Sequence, residues 1–229
     1  NGGFYTNGLK IPDGITATFN DLTITNMLTG NPPNGFCAVY LDGSGSLNIT
    51  GNTSITTNTL DDVCIYINGT GTVNMSSGSL SAMGPNTTKA IYNNNGTVNL
   101  SGGTVSVSST SGSAYAIYNG KQLSISSTAA VTGVICGVNN NANITISGGT
   151  IQATGQGGRG VFNTGTGTIN MTGGAVSATE NAVNNSNNYG IYNSGTINIS
   201  GGTVSCAGIG STNASAIYHS SGSTVTISG

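Results

Sequence analysis

The chain has 229 residues and a formal net charge of −2 at pH 7, from four basic and six acidic side chains. Gly, Asn, Thr and Ser number 38, 31, 33 and 28, together about 57% of the chain, and there is no Trp and one His. So few cations cannot neutralise a row of phosphates, which excludes nucleic acid as an expected partner, and no apolar run approaches the ~18 residues of a membrane span.

Residues 1–14 fall outside any repeat. They are expected to form an N-terminal cap, with Phe4, Tyr5, Leu9 and Ile11 covering the open end of the repeat region. Residues 15–229 are expected to be one domain. In its first coil, Ile15, Ala17, Leu22 and Ile24 read as inward residues, with Asn20-Asp21 at a turn.

From there the chain repeats. A tripeptide ending in an aromatic recurs as Ala38-Val39-Tyr40, Cys64-Ile65-Tyr66, Ala90-Ile91-Tyr92, Ala116-Ile117-Tyr118, Gly160-Val161-Phe162, Gly190-Ile191-Tyr192 and Ala216-Ile217-Tyr218. Gly137-Val138-Asn139 is a degenerate copy, and the third positions are 26, 26, 26, 21, 23, 30 and 26 residues apart. A second marker precedes the aromatic one, as in Thr97-Val98-Asn99-Leu100-Ser101 and Thr196-Ile197-Asn198-Ile199-Ser200. A Gly-Gly pair and a third marker follow it, as in Gly102-Gly103-Thr104-Val105-Ser106-Val107.

Each repeat therefore holds three short segments of strict alternation, the period of strands, separated by turn-forming residues. Stacked copies of such a unit predict an all-β fold. It is a single parallel β-helix of about eight coils, each of ~26 residues and three strands, rising ~4.8 Å per coil. Alternation turns Val98/Leu100 inward, with equivalents such as Leu47/Ile49, Val73/Met75, Ile169/Met171 and Val225/Ile227. In the next segment it turns Val105/Val107, Leu80/Ala82 and Val204/Cys206 inward. The last repeat stops part-way, at Thr224–Gly229, so further coils or another domain are expected in a parent protein.

Three columns carry the functional expectations. Asn93, Asn119, Asn140, Asn163 and Asn193, with His219 last, follow the aromatic and are expected to form an inward amide ladder. The outward Thr, Asn and Ser of the first segment are expected simply to cover a solvent-facing strand. Tyr40, Tyr66, Tyr92, Tyr118, Phe162, Tyr192 and Tyr218 are expected on one outward face, interrupted at Asn139. They read as a self-stacking ladder or as a platform for sugar rings. No metal or other cofactor is expected: Asp42, Asp61 and Asp62 read as solvated turn residues rather than Ca²⁺ ligands. Cys37 and Cys64 lie in adjacent coils, and their disulfide state is left open. Twelve Asn-x-Ser/Thr sequons occur, and six of them, at Asn48, Asn74, Asn99, Asn143, Asn170 and Asn198, arise from the strand motif itself.

The run Gly-Thr-Val/Ile-Asn-Ile/Met-Ser-Gly-Gly-Thr-Val-Ser, followed by Ala/Gly-Ile-Tyr-Asn, resembles repeat regions of microbial surface adhesin-like proteins. These belong to the pectin-lyase-like group of right-handed β-helices. The resemblance covers the chain from about Ile15 onward. It implies a right-handed helix, as the chirality of parallel connections also does. Some relatives in that group are polysaccharide lyases that use Ca²⁺-binding acids and a catalytic Arg or Lys. Arg159 is the only Arg, and it lies in the Gly-rich turn 155–160 without an acidic cluster in its neighbourhood of the sequence. The expected function is thus a non-catalytic, extracellular or cell-surface segment, adhesin-like or a structural stalk. Its expected partner is a polysaccharide or cell-surface glycan bound weakly, with end-to-end self-association as a further expectation. The alternatives are a polysaccharide-active enzyme, pectate-lyase-like or a glycoside hydrolase, and a binder of ice or another ordered surface.

Overall fold

Alternating β-branched and hydroxyl residues make each short segment apolar on one side and polar on the other. Such a segment is stable only when neighbours cover the apolar side. In the computed structural model, which describes residues 8–26, 37–58, 61–111, 113–180, 187–208 and 214–229, every described element is a strand. The strands pair in parallel, each with the equivalent strand one coil away, so the protein is a parallel β-solenoid of about 26 residues per turn.

Two sheets result. One has nine strands, from Leu9–Ile11 and Cys37–Leu41 to Tyr189–Asn193 and Ser215–His219, and carries the aromatic column. The other has fourteen strands and takes in the other two segments of the repeat. Between them runs a narrow core of stacked aliphatic columns, including Leu47, Val73, Val98, Leu123, Ile144 and Ile169, all fully buried.

The structure differs from the sequence expectations in three respects. First, the opening coil is offset. Ala17 and Phe19 pair with Leu47 and Ile49, and Ile24 with Ile55. Ile15 and Leu22 flank those strands and are 51% and 39% exposed, so they are not inward residues. Phe19 takes the core position instead. Second, Leu9–Ile11, within the segment expected to form a cap, is the edge strand of the nine-stranded sheet, paired with Val39–Leu41. Phe4 and Tyr5 lie outside the described residues. Third, the first two segments are not always separate. Asn143–Ala153, Thr168–Glu180 and Thr196–Gly208 each run through both. At their corners Gly149, Gly174 and Gly202 adopt φ of 70°, 79° and 94°, open to glycine at little cost. The ladder crosses these corners through register shifts.

In the last coil Ile227 stands in register with Ile199 but is 68% exposed, because no described coil covers it.

Candidate functional site

The aromatic column follows from the strand that bears it. In Ala90-Ile91-Tyr92-Asn93 the first two and the last side chains are buried and the ring stays half-buried on the outside. Parallel register puts Tyr40, Tyr66, Tyr92, Tyr118, Asn139, Phe162, Tyr192 and Tyr218 in one row. Tyr40 stacks on Tyr66 at 5.5 Å between centroids, and Tyr66 on Tyr92 at 5.0 Å. Tyr92 meets Tyr118 edge to face at 4.7 Å. Beyond Asn139 the row resumes with Phe162–Tyr192 at 5.3 Å and Tyr192–Tyr218 at 4.9 Å. The rings thus form a spine that spends much of its face area on itself.

Three of the four cations sit on this spine. Lys10 occupies the aromatic row itself, opposite Tyr40, with its ammonium 5.9 Å from that ring. Lys89 lies 5.5 Å from Tyr92 and 5.7 Å from Tyr115. The Arg159 guanidinium lies 5.0 Å from Phe162 and 5.4 Å from Tyr192. Tyr189 adds a ring against Tyr192 and Tyr218. Sequence reasoning misses these groups. A signal is present all the same: Lys89, Tyr115, Arg159 and Tyr189 share the position three before the aromatic and pair in one row through Cys136. Burial of Lys89 lowers its pKa, with Asp61 opposing the shift. Burial pushes Tyr40 and Tyr66 up to about 12, helped at Tyr40 by the Asp42 carboxylate that accepts its hydroxyl proton at 2.7 Å.

Behind the spine the inward asparagines form a continuous amide ladder. Nδ2 of Asn93, Asn119, Asn140 and Asn163 donates to Oδ1 of the next member at 3.0, 2.7, 2.7 and 2.7 Å. The second amide hydrogen reaches turn carbonyls, such as Gly96 O from Asn93 and Gly167 O from Asn163. All five asparagines are fully buried. His219 is in register with Asn193 and is exposed. Glycine is needed where the turn crosses the ladder, since a Cβ at Gly167 would run into Asn163 Oδ1.

A second amide row lies on the outer face of the fourteen-stranded sheet. Asn99 donates to Asn74 at 2.9 Å, Asn74 to Asn48 at 3.0 Å, and Asn198 to Asn170 at 2.9 Å. Beside it are two open grooves of about 370 and 160 Å³. Asn48, Asn74, Asn99 and Ser101 line the first, and Asn170, Asn198, Ser200 and Thr226 the second. Several sequon asparagines are therefore ladder members whose amides are already engaged.

The acidic residues do not converge. Asp42 pairs with Lys10 at 3.1 Å, and its pKa is lowered chiefly by the Tyr40 hydroxyl and then by Lys10. Asp61 accepts from the Thr87 amide and hydroxyl at 2.9 and 2.6 Å. Asp62 is buried. Among the described residues no group of three His, Cys, Asp or Glu side chains comes together, and no carboxylate pairs with Arg159. Cys37 and Cys64 are thiols and form no disulfide: Cys37 stands opposite Val63, not Cys64. Burial raises the Cys37, Cys64 and Cys136 thiols to about 12, which makes them poor nucleophiles. No helix among the described residues is long and apolar enough to cross a membrane.

No protein-family model, curated protein or solved structure matches this chain.

Proposed function

We propose that this chain is a non-catalytic β-solenoid segment of an extracellular or cell-surface protein, an adhesin-like stalk that contacts glycans weakly. The reading rests first on the spine. Half-buried rings run along the solenoid, and beside the cations they are edged by uncharged hydrogen-bonding groups: Asn68 beside Tyr66, and Asn141 and Thr164 beside Tyr118. A sugar ring presents C–H faces to aromatic rings and hydroxyls to amides, so this surface suits it chemically. The repeat resemblance to microbial surface proteins supports the same reading. So do the ladders, which assign the repeated asparagines to joining coils rather than to chemistry.

A glycan array comparing the wild type with Tyr92→Ala and Tyr118→Ala tests it. Binding that weakens in both variants is expected; a wild type that binds no glycan would sink the glycan part of the reading. Incubation with pectin-type polymers, with and without Ca²⁺, tests the non-catalytic part. New reducing ends or unsaturated products would overturn it.

A second reading, binding of ice or another ordered surface, draws on the outer face of the fourteen-stranded sheet. There Thr168, Thr196 and Thr224 stand in register, as do Thr72 and Thr97, with Gln122 and Asn143 between the two sets. Thermal hysteresis above that of a buffer control would favour it.

A further inference from the structure

The outer face of the fourteen-stranded sheet carries two rows of short polar side chains that the spine leaves unused. Outward and core positions alternate along a strand, so outward residues two apart stand on the same side. In the N-terminal coils one row is Thr18, Asn48, Asn74 and Asn99, each in register with the next. The other, two residues further along each strand, is Thr50, Ser76 and Ser101. The groove of about 370 Å³ is lined by both rows. None of these side chains is buried, so the groove is open to solvent along its length.

The two rows differ in what they leave free. Asn99 Nδ2 donates to Asn74 Oδ1 at 2.9 Å, and Asn74 Nδ2 to Asn48 Oδ1 at 3.0 Å. Each of these amides keeps a second N–H with no partner among the described residues. In the other row, Ser76 and Ser101 donate their hydroxyl hydrogens to Ile49 O and Met75 O at 3.4 and 3.3 Å. Their oxygen lone pairs remain as acceptors. One wall therefore offers donors and the other acceptors, repeated at the strand spacing of ~4.8 Å. No charged side chain lines the groove.

A ligand in step with these walls is neutral, straight and rich in groups that both donate and accept. An extended polypeptide repeats the same side every two residues, ~6.8 Å, and falls out of step within one coil. A β-1,4-linked pyranose chain is a straight ribbon that advances about one strand spacing per sugar and carries hydroxyls on both edges. We propose that this groove binds an extended, neutral β-1,4-linked glycan lying along the solenoid axis. Its hydroxyls accept from Asn74 and Asn99 and donate to Ser76 and Ser101. The groove at Asn170, Asn198 and Ser200 is a shorter counterpart, with two amides in place of three. The class of partner rests on the glycan reading above; the surface is a second one, on the other sheet.

The test titrates cellohexaose, mannohexaose and xylohexaose into the isotope-labelled chain, with maltohexaose, whose α-1,4 links curl the chain, as comparator. The side-chain amide signals of Asn48, Asn74 and Asn99 and the tyrosine ring signals are followed by NMR. At least one β-1,4 hexamer is expected to shift the three amides saturably and to bind fivefold or more tightly than maltohexaose. Asn74→Thr is expected to fold, since Thr145 and Thr226 hold the same column. Its affinity, read at Asn99, is expected to fall fivefold or more because the central donor is gone. Should it fail to fold, the wild-type amide shifts decide. Shifts that spare these amides would overturn this site and leave the glycan reading intact. No shift anywhere with any hexamer would remove the glycan reading and this site with it. Less than a twofold loss in Asn74→Thr, or equal binding of maltohexaose, would also overturn the proposal.

Discussion

The position after the aromatic is filled in two ways along one solenoid. In the N-terminal coils it holds Ile11, Leu41 and Ile67, which stack as a dry aliphatic column. From Asn93 to Asn193 the same column is the amide ladder. The polar bonds of the first region lie outside the wall instead. Asp13 Oδ1 accepts from the amide and hydroxyl of Ser44, both at 2.7 Å. Tyr40, Lys10 and Asn68 all bond to Asp42. In the second region the ladder asparagines do this work from inside, as Asn93 does for the Gly96 amide at 2.9 Å. Turn backbone groups must be satisfied in every coil. The chain does so from whichever side carries the polar residue, and the column behind the spine is free to be dry or wet accordingly.

That contrast predicts a graded set of effects. The largest belongs to the ladder's middle. Asn140→Ala removes the acceptor of Asn119, the donor to Asn163 and the bond to Ala142 O. It is expected to cost ~3 kcal/mol or more of unfolding stability in urea. Leu41→Ala, in the dry column, is expected to cost ~2–4 kcal/mol through a cavity alone. Leu41→Met should then be tolerated at under ~1.5 kcal/mol, whereas no apolar residue should rescue position 140. Apolar rescue at 140 would break the distinction.

The spine comes next. Tyr92→Ala loses contacts with two rings and Lys89 and is expected to cost ~1–3 kcal/mol. Alkaline pH probes the same rings. Tyr40 and Tyr66 are raised from an ordinary 10 to about 12. A raised folded pKa means the unfolded chain loses its proton first. Their contribution is thus complete below pH 10 and lost as pH rises toward 12. Denaturation midpoints followed from pH 8 to 12 should fall mainly above pH 10, and less steeply in Tyr40→Phe. The smallest effect concerns a corner. Ser127 adopts φ of 51°, so Ser127→Gly should stabilise by ~1 kcal/mol or less in the same assay.

Much of the architecture is legible because a solenoid repeats its pattern. Aligning Tyr40 through Tyr218 yields the register of the nine-stranded sheet, and alternation yields the core columns and the ladder. What escapes is what occurs once. The first coil has Lys10 rather than an aromatic at the spine position, so nothing in Leu9-Lys10-Ile11 marks it as part of the spine's sheet, and Phe19 stands out less in the sequence than Ile15 and Leu22. The fused strands depend on register shifts at Gly-Gly corners, yet Gly102-Gly103 has the same residues and its strands stay separate. The candidate site is legible as a row of rings but not as a charged one. Lys89 over Tyr92 and Arg159 over Phe162 lie three apart on one strand, a spacing the sequence displays; their second rings, Tyr115 and Tyr192, come from the next coil, a neighbourhood that spacing along the chain does not display. Asn139 is legible only as an interruption.

The central claim is that the repeated residues join coil to coil, with the ladder serving its own region. Native-state hydrogen exchange on the wild type and Asn140→Ala tests it most directly. The account predicts lost protection centred on Tyr115–Asn119, Cys136–Asn140 and Arg159–Asn163, with Cys37–Leu41 and Val63–Ile67 retained. Uniform loss along the chain, or none at the neighbouring coils, would contradict it.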